Sequence, residues 1–430
     1  MNNTETYSDQ LLRLNPTWNI DSVRNITFQV TEQCTLRCTY CYQIDKKETM
    51  MDLFVATKCV DLLFKMYEDD DPNAFINKNT KAIILDFIGG EPLLNIKAIE
   101  CICDYFVWNC LEKNHPWLEN FRISIISNGD LYFKEEVQAF LKKWIDFLSF
   151  TITLDGPQEI HDACRVNKNG TGNFQNAFAA LIHFRDNYYF NPATKITIAP
   201  ENLKDFEKII NFFLSNNITD IHINPAFEPN WTYDEAKIYY NELKKIANIL
   251  LENPKFSFSI FQETSFSPLP ETELNTYCGG NGDMLAFDPH GQAYPCVRYM
   301  PSSLGKDVPP LIIGDYQGLY ETKEQQEILT ALKAITRRSE NNDECFFCPI
   351  ARGCGECSAW NYQSAGKLGC RNTNICPMHK AASLANVYYW NKYYRLHNIN
   401  ARFKMFLPKE EALKIISSSE YFLLRALEGD

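Results

Sequence analysis

Residues 31–43 read TEQCTLRCTYCYQ and set Cys34, Cys38 and Cys41 in a C-x3-C-x2-C spacing, directly after the β-prone run Ile26–Val30. A loop that follows a strand of a parallel sheet lies at the sheet's carboxyl edge, where ligands bind in such folds. Three thiolates within eight residues can each take one iron of a cubane and leave the fourth iron without a protein ligand. A zinc site wants four ligands, and no cysteine or histidine follows closely enough to complete one locally. The alternative is a zinc knot finished from a distant part of the chain.

Outward from this loop, short β-rich runs alternate with amphipathic helical stretches. The expected strands are Ile26–Val30, Lys81–Ile88, Arg122–Ile126, Phe147–Leu154, Lys195–Ala199 and Asp220–Asn224. Between them apolar residues recur three or four apart, as helices packed on a sheet require. Six β/α units in succession imply an α/β fold with a parallel sheet and right-handed crossovers. A partial (β/α)6 TIM-like barrel and a doubly wound open sheet both satisfy that pattern. Beyond residue 277 turn residues and cysteines take over, and a helical pattern returns at residues 376–395. The expected organisation is an N-terminal segment (1–24), a barrel (25–230), a bridging helix and linker (231–277), a cysteine-rich domain (278–395) and a helical tail (396–430).

Composition narrows the partners. A chain of 430 residues exceeds a single core, and 45% hydrophobic with 22% charged residues is ordinary for a folded protein. A formal net charge of -12 argues against nucleic acid or an anionic membrane as partner. No apolar run reaches the roughly 20 residues that cross a bilayer, and the first residues carry no basic-then-apolar signal, so a cytoplasmic location is expected. Sixteen cysteines are many for that compartment, where clustered thiols mean metal or catalysis rather than disulfides. Cys59, Cys101, Cys103, Cys110 and Cys164 fall outside the clusters and read as small buried apolar residues.

C-x3-C-x-Tyr-C, with Tyr40 before the last cysteine, resembles the signature of the radical S-adenosylmethionine (SAM) superfamily. The resemblance implies a [4Fe-4S] cluster on Cys34, Cys38 and Cys41 whose open iron is chelated by SAM. Reductive cleavage of SAM then gives a 5′-deoxyadenosyl radical that takes hydrogen from substrate. Further motifs stand at the following strand ends. Gly89-Gly90-Glu91-Pro92 resembles the glycine–glycine–glutamate segment that receives the methionine ammonium. Ser127-Asn128-Gly129 resembles the ribose-contacting turn, and Thr153-Leu154-Asp155-Gly156-Pro157 resembles a segment whose hydroxyl faces SAM. Arg165 falls where relatives carry arginine, and a loop ion pair would explain it equally.

The later cysteines resemble the SPASM domain, which holds two auxiliary [4Fe-4S] clusters. Cys278 and Cys296 fit C-x12-Gly-x4-C through Gly291. Cys345, Cys348, Cys354 and Cys357 follow with x2, x5 and x2 spacing, and the last departs from the usual x3. By that resemblance Cys278, Cys296 and Cys357 belong to the first auxiliary cluster, with Cys370 or substrate as fourth ligand. Cys345, Cys348, Cys354 and Cys376 belong to the second, and Cys370 and Cys376 can exchange roles. Paired four-cysteine zinc sites remain the plain alternative. Three [4Fe-4S] clusters and SAM are thus the expected cofactors.

Enzymes of this architecture mature ribosomal peptides or sulfatases. Sulfatase maturases carry a basic aspartate where this chain has Val297, so formylglycine formation would need Asp288 or Glu228 in its place. The tail TNICPMHKAASLANVYYWNK resembles that of maturases acting on cysteine-rich precursor peptides, which implies a thioether or other crosslink. Expected partners are that peptide and an electron donor such as flavodoxin or ferredoxin, with the leader bound by a separate leader-binding protein, by the barrel itself or by the C-terminal tail. No histidine is assigned to a site. A zinc-stabilised protein-binding scaffold is the non-enzyme alternative.

Overall fold

The apolar run around Phe28 becomes a strand whose last six residues are all buried, as expected of a strand covered on both faces. The computed structural model describes residues 22–188, 192–276 and 278–429. Its first six strands are β1 (Val23–Thr31), β2 (Ala82–Gly89), β3 (Phe121–Ser127), β4 (Leu148–Thr153), β5 (Ala193–Ile198) and β6 (Asp220–Pro225). The main helices are α1 (Leu53–Asp69), α2 (Ile96–Glu112), α3 (Glu135–Trp144), α4 (Gln158–Cys164), α5 (Phe174–Asn187), α6 (Phe206–Ser215), α7 (Tyr233–Glu252) and α8 (Cys376–Leu396). The chain divides into two units: residues 1–153, 166–190 and 278–335, and residues 154–165, 191–277 and 336–430.

In the first unit β1, β2, β3 and β4 pair in parallel in chain order. Leu285–Phe287 pairs in parallel with the other side of β1 and returns as a hairpin through Gln292–Tyr294. Register gives the sheet two different faces. One row, Phe287, Phe28, Phe87, Ile125 and Phe150, is apolar, with Phe28 stacked 5.7 Å from both Phe87 and Phe287. The neighbouring row, Thr27, Asp86, Ser124 and Ser149, is polar.

Helix α1 is capped by Asp52, whose carboxylate accepts from Phe54 N at 2.7 Å. It buries Cys59, Val60, Leu63 and Phe64, so Cys59 serves as a core apolar residue. Phe64, Tyr67, His115 and Trp117 form one aromatic cluster, with His115 4.2 Å from the Tyr67 ring and 4.3 Å from Trp117.

In the second unit β5 pairs in parallel with β6. Helix α7 starts with a capping box: Thr232 Oγ1 accepts from Glu235 N at 3.2 Å, and Glu235 accepts from Thr232 N at 2.8 Å. Its side chain Asn248 meets α8 through Tyr388 Oη at 2.8 Å. Two buried asparagines of α8 fasten loops to the helix. Asn386 donates to Ile260 O at 2.9 Å and accepts from Gln262 N at 3.0 Å, while Asn391 exchanges two 2.9 Å bonds with the Phe403 backbone. The helical tail is broken in two, Lys409–Ala412 and Ser418–Glu428, because Ser417 caps the second piece. Among the described residues no helix is long and apolar enough to cross a membrane.

His115 yields a pH prediction. Burial, then the nearby Lys78 ammonium, lowers its pKa from 6.5 to about 4. Its Nδ1 accepts from Trp117 N at 3.3 Å, so the neutral ring is what the fold uses. Because the folded pKa is depressed, the unfolded chain binds a proton first as pH falls. Stability is therefore full above pH 6.5 and lost progressively toward pH 4, by at most about 3 kcal/mol. A His115→Asn variant keeps an acceptor without titrating. Its melting temperature should fall less than that of the parent between pH 7 and 4.5, as followed by circular dichroism.

Candidate iron–sulfur and cofactor site

The Cys34 loop is held by the end of the neighbouring strand. Gly90 N donates to Thr31 O at 3.0 Å, and Glu91 N donates to Gln33 O at 2.8 Å. This backbone approach explains both glycines. A Cβ on Gly90 would run into the Gln33 carbonyl and stand 2.7 Å from Cys34 Cβ, and one on Gly89 would stand 2.7 Å from Thr31 O. Beyond Cys34, Leu36 forms an antiparallel bridge with Asn167. Cys34, Cys38 and Cys41 are half-buried and free of disulfides. Burial pushes the Cys34 thiol up to about 11, so this sulfur needs a positive neighbour or a metal to exist as thiolate.

Glu91 ties the next strand end to the same place. Its carboxylate is 1% exposed and accepts from Ser127 Oγ at 2.9 Å, Asn128 N at 2.8 Å and Leu93 N at 3.1 Å. Burial raises its pKa to about 7 against the pull of those three donors. Its oxygens are therefore engaged with the ends of β2 and β3. Asn128 reaches onward, with Nδ2 3.9 Å from Cys34 Sγ and 3.0 Å from Thr35 Oγ1. Gly129, at φ +83°, lies against Ala177 of α5, where a Cβ would come within 2.9 Å of its Cα. The motifs Gly89–Glu91 and Ser127–Asn128 thus gather around the Cys34 segment.

The remaining expected contacts have their own settings. Tyr40 is half-buried in the loop, and Thr153 is a buried residue at the end of β4. Asp155 is fully buried and pairs with Arg165, Oδ2 to Nε 2.9 Å, so Arg165 is half of an ion pair. That pair closes the ends of α4, a helix the periodicity did not indicate.

The later cysteines occupy two different settings. In the first unit the Cys278 and Cys296 sulfurs flank Gly280, each 3.4 Å from where its Cβ would be. Gly291, in the hairpin before Cys296, has φ +80° and no room for a side chain beside Val55 and Tyr316. In the second unit Cys345, Cys348, Cys354 and Cys376 line one cavity of about 60 Å³. Cys370 is not among that cavity's lining residues, and Cys357 lines a neighbouring one with Phe227 and Trp360. Among the described residues no group of three His, Cys, Asp or Glu side chains is arranged to hold a single metal ion. In a cubane each thiolate takes its own iron, so ligand sulfurs surround a cavity instead of meeting at a point. The four-sulfur cavity fits that requirement.

Sequence reasoning passed over three features. Asp86 interrupts the apolar run AIILDFIG and accepts from Thr27 Oγ1 at 3.3 Å; a charge inside a central strand was the available signal. Arg298 lies 4.5 Å above the Tyr42 ring, whose hydroxyl pKa is raised, chiefly by burial. Arg371 lines the four-cysteine cavity, with no signal beyond its place after Cys370.

Parallel strands whose ends gather a three-cysteine loop, a double-glycine turn and a Ser-Asn turn define an iron–sulfur enzyme of the β/α class. Residues 22–168 match a family described as a 4Fe-4S single cluster domain. The radical SAM cyclopropyl synthase TigE of Paramaledivibacter caminithermalis is 21% identical, over 88% of this chain and 77% of its own. AlbA of Bacillus subtilis, an antilisterial bacteriocin subtilosin biosynthesis protein, is also 21% identical, over 84% of this chain and 72% of its own. Among solved structures, anSMEcpe with bound AdoMet and a Cp18Cys peptide superimposes with a TM-score of 0.61 at 18% identity, covering 88% of this chain and 98% of that one. This likeness in fold bears out an α/β fold with a parallel-sheet core. The chain is similar in sequence to radical SAM enzymes and in fold to an AdoMet-binding one, likenesses that support SAM and an iron–sulfur cluster as its cofactors.

The packing at Gly90 gives a direct test. Gly90→Ala should displace the Cys34 loop and lower cluster iron by about four per chain, while Glu112→Ala, at the exposed end of α2, should leave iron content unchanged. Iron assay after anaerobic reconstitution reads both.

Proposed function

We propose that this enzyme modifies a ribosomally made precursor peptide, installing a thioether or other crosslink by hydrogen abstraction. The observation that carries the reading is the Cys34 loop laid directly on Gly89–Gly90, with Ser127 and Asn128 fastened beside it by Glu91. When bound, SAM and the cluster supply a 5′-deoxyadenosyl radical capable of taking hydrogen from carbon. The protein's part is binding and orientation. Cys34, Cys38 and Cys41 are the ligands of the SAM-binding cluster. Gly89 and Gly90 admit the methionine end of SAM to the backbone. Ser127, Asn128 and Thr153 present polar groups at strand ends, with Tyr40 in the loop itself. Glu91 holds the Ser127–Asn128 end in place.

Two auxiliary clusters complete the cofactor set. Cys278 and Cys296 serve the first, for which spacing offers Cys357 and Cys370 as further candidates. Cys345, Cys348, Cys354 and Cys376 serve the second, supported by the cavity that they share. Partners are the precursor peptide, a low-potential electron donor of the flavodoxin or ferredoxin kind, and a leader-binding protein. The relative named for bacteriocin biosynthesis supports a peptide substrate.

Formylglycine formation on a sulfatase is less well supported, despite the shared fold. Val297 follows Cys296 and cannot accept a proton. Asp288 is spent on the hairpin: it accepts from His290 N at 2.8 Å, Gln292 N at 3.0 Å and Tyr294 Oη at 3.1 Å.

Anaerobically reconstituted enzyme should hold about twelve irons per chain and release 5′-deoxyadenosine from SAM under dithionite. The triple variant Cys34→Ala, Cys38→Ala, Cys41→Ala should keep about eight irons and release none. Mass spectrometry of a precursor peptide encoded beside the enzyme should show a loss of two hydrogens per crosslink. Unchanged mass with active SAM cleavage would defeat the crosslinking reading, and a product on a sulfatase peptide would replace it.

A further inference from the structure

The cavity lined by Cys345, Cys348, Cys354 and Cys376 is also lined by two arginines and two buried acids: Arg337, which donates to backbone carbonyls, Arg371, Glu340 and Glu356. Arg371, with a side chain 13% exposed, turns into it. Its Nη2 donates to Cys354 Sγ at 3.2 Å and to Gly355 O at 3.3 Å. Its Nη1 donates to the Glu356 carboxylate and lies 3.6 Å from Glu340 Oε1. Both carboxylates are 2% exposed. The Arg371 backbone is pinned as well, its N–H donating to Glu340 O at 3.2 Å. A guanidinium whose rotamer is fixed by two buried acids, and whose free edge meets one of four gathered sulfurs, is more than a packing residue.

We propose that Arg371 is a positioning residue that raises the reduction potential of the cluster carried by these four cysteines, with Glu356 setting how much of its charge that cluster feels. The inference rests on the reading that the cavity holds an auxiliary cluster. The physics is direct. Adding one electron to a [4Fe-4S] centre adds negative charge to its ligand sulfurs. An N–H donor and a positive charge at Cys354 stabilise that reduced form, and hydrogen bonds to cluster sulfurs are among the established determinants of potential. Low dielectric inside the unit makes the effect larger than the same contact in water. Glu356 acts in the opposite sense, since it draws the guanidinium edge and partly neutralises it. The consequence for the enzyme is an electron acceptor: a cluster made easier to reduce can take the surplus electron left when a substrate radical is oxidised to closed-shell product.

The test is a redox titration followed by EPR, on full-length protein in the Cys34→Ala, Cys38→Ala, Cys41→Ala background, so that only auxiliary clusters contribute. The signal lost on adding Cys348→Ala identifies the cluster in question. Arg371→Gln should lower its potential by about tenfold in the reduced-to-oxidised ratio, which for one electron is about 59 mV. Glu356→Gln should shift it in the opposite direction, and Arg371→Lys should fall between parent and Arg371→Gln. Opposite signs support the proposal; a purely structural role would lower iron content without moving the potential of the remaining cluster. Unchanged potentials at full iron content overturn it. Should Arg371→Gln shed its iron, Glu356→Gln decides: an upward shift supports the proposal and no shift overturns it. If Cys348→Ala removes no iron at all, the failure belongs to the cluster assignment and not to the role of Arg371.

Discussion

The close backbone approach between Thr31–Cys34 and Gly89–Glu91 is the constraint on which the site depends. Strand ends in a parallel sheet are ordinarily joined only through their ladder bonds, and the loops beyond them diverge. Here two further backbone bonds carry the contact past the strand ends, and the absence of two side chains makes that possible. The cysteine loop therefore begins on a fixed platform, and Cys34, its first thiol, has a defined position before any metal arrives.

Glu91 extends the platform sideways. A buried carboxylate costs free energy unless its charge is met by donors; Ser127, Asn128 and Leu93 supply them. The result couples the turn after β2 to the turn after β3, and Asn128 returns the coupling to Cys34 and Thr35. Strain or substitution at any of these three turns is felt at the others, because the groups share hydrogen bonds. Asp155 and Arg165 repeat the device in the second unit with an ion pair. The same solution appears at the four-cysteine cavity, where Arg371 is locked by Glu340 and Glu356. In each case a buried charge fixes a loop that carries functional groups.

The β/α alternation was legible because buried parallel strands leave near-continuous apolar runs, and helices leave a repeat of three or four. All six strands lie within a few residues of where that pattern put them. The cysteine and glycine motifs were legible because their chemistry restricts residue type at each position. What escaped was whatever depends on tertiary neighbours. Gln158–Cys164 is too short to show periodicity, and it forms where Pro157 starts it and the Asp155–Arg165 pair closes it. What Glu91 bonds to was equally hidden, since two of its donors, Ser127 and Asn128, lie more than thirty residues away. Cys370 and Cys376 are interchangeable by spacing, and the folded chain adds that Cys376 lines the four-cysteine cavity while Cys370 is not among its lining residues.

The two sulfur settings also differ in what the protein provides around them. At Cys34 the sulfur accepts from Leu36 N and meets Asn128, while the Lys46 ammonium acts on it without a hydrogen bond. At Cys354 the partner is a guanidinium. A cluster that must give an electron benefits from a low potential. A cluster that must accept one benefits from a positive neighbour. The guanidinium bonded to Cys354 is thus a difference between the two sulfur settings that cysteine spacing alone does not encode.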